Sequence, residues 1–134
     1  MSNMIDDQKS VLYMDPQVLA WIGDAYLTLA IRKWLVDNSK AGAGVLHTRM
    51  KKFVSASAQA REWENIFDML TEEEKDIGRR ARNRHTISTA KNSSPADYKK
   101  ATALEAVIGY LYLSKNQDRL DEIFEAIIKQ KDIT

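Results

Sequence analysis

Apolar residues recur at steps of three and four along most of this chain, and no stretch alternates with period two. The longest mainly apolar run, 18–35, contains Asp24, Arg32 and Lys33. It is too interrupted to span a bilayer and predicts a buried helix. Asp15-Pro16 supplies a capping carboxylate and a first-turn proline, so the helix should start there and run to about Asp37. A loop with two glycines follows at 38–44. From Val45 the spacing of Leu46, Met50, Phe53 and Val54 predicts a second helix. Ala56, Ala60, Trp63, Phe67 and Leu70 continue it, with a break expected near 55–57. Thr71 and Glu74 form a capping box for a polar helix anchored by Ile77 and Ala81. Periodicity is lost over 84–94, which reads as a loop. Ser94-Pro95-Ala96-Asp97 then opens a helix with the stripe Tyr98, Ala101, Leu104, Ile108, Leu111 and Tyr112. After Asn116, the positions Leu120, Ile123, Phe124, Ile127 and Ile128 mark a last amphipathic helix. The expected fold class is all-α, a helical bundle, with the tryptophans and tyrosines mostly in its core.

Composition narrows this further. A chain of 134 residues predicts one domain over 1–134. The absence of cysteine removes disulfides, thiolate metal sites and thiol nucleophiles. The N-terminus is polar and acidic, without a targeting pattern, so a cytoplasmic protein with no membrane partner is expected. A net charge of +1 argues against a nucleic-acid partner at first sight. It is a cancellation, because residues 62–78 carry −6 and residues 79–100 carry +6.

Two acids stand out. Asp24 is the only charge between Val18 and Ile31, and Glu105 the only one between Ala101 and Ser114. An unpaired carboxylate in an apolar helix is costly, so each needs a partner or a polar cleft. Small residues surround both: Ala20, Gly23 and Ala25 around Asp24; Thr102, Ala106 and Gly109 around Glu105. The pattern predicts that the two helices cross near Gly23 and Gly109 and aim both acids at one site. Adjacent carboxylates repel unless a cation lies between them, and oxygen ligands favour a hard one, most naturally magnesium. Carboxylate-held magnesium is common equipment for phosphodiester hydrolysis. The alternative is that each acid pairs with an arginine, with Arg32 or Arg80 available, or with a helix N-terminus.

The basic residues form two groups. One is His47, Arg49, Lys51 and Lys52; the other is Arg79, Arg80, Arg82, Asn83, Arg84 and His85, followed by Lys91, Lys99 and Lys100. Arginine forks suit phosphate. With few aromatics interleaved, contact with a duplex backbone fits better than stacking on single strands. A solvated helix face balanced by Glu72, Glu73 and Glu74 is the competing explanation. His47 and His85 lack a partner at i, i+4 and read as neither ligand nor base.

The segment Leu19-Ala20-Trp21-Ile22-Gly23-Asp24-Ala25 resembles the signature helix of the ribonuclease III family. Leu104-Glu105-Ala106-Val107-Ile108-Gly109 resembles that family's second catalytic helix. Leu46-His47, the run Val54-Ser55-Ala56-Ser57-Ala58-Gln59-Ala60, the arginine run and Lys91-Asn92 extend the likeness to about 12–128. They point to the Mini branch, which lacks the double-stranded RNA-binding domain. The resemblance implies a homodimeric, magnesium-dependent nuclease that cuts duplex RNA and matures large-subunit ribosomal RNA precursors. By position, Asp24 and Glu105 match the family's essential acids. Gln17, Ala20 and Thr102 stand where full-length ribonuclease III carries further acids, as does a position near Val45. Water or substrate phosphate would complete the metal shell, with Gln17 and Thr102 as groups that orient it. Arg79, Arg80, Arg82, Asn83, Arg84 and Lys91 would grip RNA. Two further readings remain: a non-catalytic RNA-binding module with this fold, and a structural helical dimer with buried ion pairs.

Overall fold

The computed structural model describes residues 10–83 and 94–129, and among them there is helix but no strand. Six helices lie wholly within the described residues, in order: α1 Pro16–Asn38, α2 Ala43–Val54, α3 Ala56–Ile66, α4 Glu72–Asn83, α5 Pro95–Leu113 and α6 Gln117–Lys129. A 3₁₀ turn, Phe67–Met69, joins α3 to α4.

Local chemistry sets most of the boundaries. Asp15 Oδ1 accepts from the Gln17 N–H at 2.9 Å, with Pro16 in the first turn of α1. Ser55 is extended and separates α2 from α3; its Oγ accepts from the Ala58 N–H at 3.2 Å. The expected break near 55–57 is therefore present, and the expected run to Leu70 divides into α3 and the turn. The second helix starts at Ala43, two residues before the expected Val45. The Thr71 N–H donates to Glu74 Oε1 at 2.9 Å, and the Glu74 N–H to Thr71 Oγ1 at 3.1 Å, closing the capping box. Ser94 Oγ accepts from the Asp97 N–H at 3.1 Å and starts α5. At its other end Lys115 takes φ 61°, and the Asn116 N–H reaches back to the Leu111 carbonyl at 2.9 Å. That is a Schellman closure with lysine in the left-handed position.

Helix α5 is the centre, packed on α1, α3, α4 and α6. Ala101 to Leu104 and Ala106 to Leu111 are all buried, so only Glu105 interrupts a stretch enclosed on every side. Arg119 of α6 ties the far end together. Its Nε donates to Glu74 Oε2 at 3.0 Å, and its Nη2 to Glu74 Oε1 at 2.9 Å and to the Met69 carbonyl at 2.6 Å.

The aromatic residues correct one expectation. Trp63 is in the core, whereas Tyr13, Tyr112 and Trp21 are exposed, Trp21 to 78%. Helix α1 is apolar nearly all round, but its neighbours cover one side only. Val18, Trp21, Leu29 and Val36 are left on the open side, at spacings of three, eight and seven residues that fall on one helix face. Asp24 is exposed as well, in keeping with the expected need for a partner or a polar cleft. No helix among the described residues is long and apolar enough to cross a membrane. The loop expected at 84–94, with Arg84, His85 and Lys91, falls almost wholly outside the described residues.

Candidate active site

Two glycines place the acids. A Cβ on Gly23 would lie inside the van der Waals shell of the Glu105 carbonyl oxygen and 2.8 Å from the Gly109 nitrogen. A Cβ on Gly109 would collide in the same way with the Leu19 carbonyl. Backbone therefore meets backbone at this crossing, as the small-residue pattern predicted. Asp24 and Glu105, each beside the contact, are brought within hydrogen-bonding reach of each other.

They share a cleft of about 210 Å³ lined by Gln17, Ala20, Trp21 and Asp24 from α1 and by Tyr98, Thr102 and Glu105 from α5. These positions are one helical face on each side. Among the described residues, no lysine, arginine or histidine lines the cleft. The two arginines considered as partners lie elsewhere. Arg32 Nε sits 3.0 Å from Met50 Sδ, and Arg80 donates to Asp76 Oδ2 at 3.1 Å and to the Leu12 carbonyl at 3.0 Å. Burial, followed by the hydrogen bond and charge of Asp24, pushes the Glu105 carboxyl up to about 9. Without a cation, the pair holds a proton at neutral pH.

The donor set suits a hard divalent ion: two carboxylates already together, an uncharged rim and only oxygen and amide groups. Gln17 Nε2 is shielded from solvent and has no hydrogen-bond partner, an orphaned polar atom of the kind found where a site awaits a ligand. Among the described residues no third acid, histidine or cysteine joins the pair. The Thr102 hydroxyl donates back to the Tyr98 carbonyl at 2.9 Å, so it faces the cleft as an acceptor.

The basic residues divide. Arg80 is half-buried and tied to Asp76 and the Leu12 carbonyl, bonds that brace α4. Arg79 is exposed, with only a 3.5 Å contact to Asp76. Arg82 is half-buried, and Asn83 is exposed at the end of α4. Lys100 pairs with Glu64 and, aided by the charge of Arg82, lowers the pKa of that exposed carboxylate. On α2, His47, Lys51 and Lys52 are exposed, while Arg49 donates to Ser39 Oγ at 2.8 Å.

Tyr98 and Trp21 are the cleft residues that sequence reasoning missed. The signal was available: Tyr98 lies seven residues before Glu105 and Trp21 three before Asp24, both in helical register with an acid.

The sequence matches the Ribonuclease III domain family over residues 17–116. It is 42% identical over 122 residues to the Mini-ribonuclease 3 of Thermoanaerobacter sp. (strain X514), covering 91% of this chain and 86% of the relative. It is 39% identical to the Mini-ribonuclease 3 of Staphylococcus aureus (strain NCTC 8325 / PS 47), covering 96% of both. A crystal structure of a Fusobacterium nucleatum protein superposes with a TM-score of 0.80 at 35% identity, covering 88% of this chain and 94% of that one. With the glycine crossing and its two acids inside the matched region, the chain belongs to the ribonuclease III family, in its Mini-ribonuclease 3 branch.

Proposed function

We propose that this endoribonuclease hydrolyses double-stranded RNA with magnesium held by Asp24 and Glu105. One observation carries the reading: two carboxylates are forced together by a backbone-to-backbone crossing, in a cleft where no described residue is basic. A bound divalent cation supplies Lewis acidity that activates water and offsets charge on the phosphodiester. The chain's own groups do the rest. Asp24 and Glu105 fix the cation's place, and Thr102 offers an acceptor beside them. Gln17, once its side chain rotates, offers an amide to whatever fills the cleft. Arg79, Arg82 and Asn83 at the end of α4 contact phosphates, and the resemblance assigns the same role to Arg84 and Lys91, which lie outside the described residues.

The rest of the proposal concerns context. Residues 1–134 act as one catalytic domain, in the cytoplasm, on large-subunit ribosomal RNA precursor; these parts rest on the resemblance. A homodimer has support in the molecule. The open apolar face of α1 continues at Val36 into a groove of about 330 Å³ lined by Leu35, Leu46 and Met50, which a second copy would cover.

The test is incubation with duplex RNA, with and without magnesium, followed by product sizing and end analysis. Staggered ends with magnesium only, lost in Asp24→Asn and Glu105→Gln while RNA binding persists, are expected. Binding without any magnesium-dependent cutting would replace this reading with a non-catalytic RNA-binding module.

A further inference from the structure

We propose that Tyr98 is a substrate-binding residue, whose phenol hydroxyl donates to a non-bridging phosphate oxygen of the RNA strand being cut. The proposal rests on the reading of this cleft as a duplex-RNA nuclease site.

The argument comes from the donors the cleft offers. A phosphodiester entering it meets two carboxylates, so beyond a cation it needs hydrogen-bond donors. Seven of the described residues line the cleft. Ala20 has no polar side-chain atom. Asp24 and Glu105 are acceptors once ionised. The Thr102 hydroxyl already donates to the Tyr98 carbonyl. Gln17 Nε2 is a donor, but it is shielded from solvent, so a strand cannot touch it without side-chain rotation. Trp21 points its surface to solvent on the open face of α1. Tyr98 is left: half-buried, lining the cleft, with its hydroxyl bonded to no described residue.

Its position fits the task. Tyr98, Thr102 and Glu105 share one face of α5, and Tyr98 is about 10 Å along the helix axis from Glu105. Helical side chains lean toward the N-terminus, so the ring leans away from the acids and toward the start of α5. A donor there meets the strand beside the reacting phosphate and not the cation. A charged phosphate oxygen is the strongest acceptor the strand offers.

Tyr98→Phe keeps the ring and its packing and removes only the donor. Unchanged helix content and melting temperature, with kcat/KM lower by about 10- to 100-fold, are expected for a hydrogen bond to a charged acceptor. A loss of packing would not be selective for one substrate atom, so single phosphorothioates are placed at the scissile phosphate and at its two neighbours on each side. At one flanking phosphate, the penalty seen with the wild-type protein should vanish in Tyr98→Phe. Penalties of equal size in both proteins overturn the proposal, as does a variant that cuts at the wild-type rate. If a 2′-deoxy penalty vanishes in place of a phosphorothioate one, the contact is to ribose and the phosphate assignment is wrong. Wild-type protein that leaves duplex RNA intact with magnesium overturns the nuclease reading itself. Cleavage that is lost in Asp24→Asn but unaffected in Tyr98→Phe overturns only the role of Tyr98.

Discussion

Glu74 and Glu105 are the same side chain in opposite company. Glu74, at the start of α4, is 3% exposed and fully engaged, with the Arg119 guanidinium across it and the Thr71 N–H on one oxygen. Glu105, in the middle of α5, faces another acid and no base. The first carboxylate closes a joint between α4, the turn before it and α6. The second is held in a state that costs stability until a cation or proton arrives. A buried acid is therefore not a functional signal by itself; what distinguishes the two is the sign of the nearest charge.

The largest effect should come from exchanging the consequences. Glu105→Gln is expected to lower cleavage by at least about 1000-fold with the fold intact, as a group acting at the reacting centre can. Arg119→Ala leaves Glu74 buried without its counter-charge. It should cost about 3 kcal/mol of stability in chemical denaturation, with kcat of the folded fraction unchanged. Parallel losses of stability and activity in both variants would erase the distinction.

Gly109→Ala attacks the crossing itself. Its methyl would collide with the Leu19 carbonyl, which belongs to a helix backbone and has little room to shift. Overpacking of this kind should cost about 2–3 kcal/mol. It should also separate the acids, so calorimetry would show weaker magnesium binding even where the protein is folded.

Proton linkage gives a smaller effect. Without divalent cation, the folded protein keeps a proton on Glu105 up to about pH 9, whereas the unfolded chain releases it near the ordinary value of 4.5. Between these limits the folded state binds more protons, so stability should fall as pH rises. Between pH 5 and 8 the loss should be about 2 kcal/mol after allowance for partial solvation. The slope should flatten in Glu105→Gln and when magnesium is added. The smallest change is expected from Arg82→Ala, which should reduce the salt dependence of RNA binding by about one phosphate contact, with no preference among duplexes.

Much of this was legible because it is local. Asp15-Pro16, Thr71 with Glu74, and Ser94-Pro95 fix helix starts through groups a few residues apart, and each cap is formed as its sequence implies. The pairing of Asp24 with Glu105 was also legible, since acid beside glycine in an apolar helix leaves few physical solutions. The partners of Arg119 and Arg80 were not, because an arginine reaching a distant helix leaves no periodic trace. Nor was the exposure of Trp21. An apolar side reads alike whether α5 or a second molecule covers it, and only the packing shows that this chain leaves it bare.

The cleft takes its walls from α1, early in the chain, and α5, late in it, which has a consequence in time. As the chain emerges during synthesis, α1 to α4 can form and pack in part, yet no stage before α5 docks brings Glu105 to Asp24. The nascent chain cannot assemble the acid pair until its last third is in place. Its destructive chemistry is thus withheld by the order of its helices.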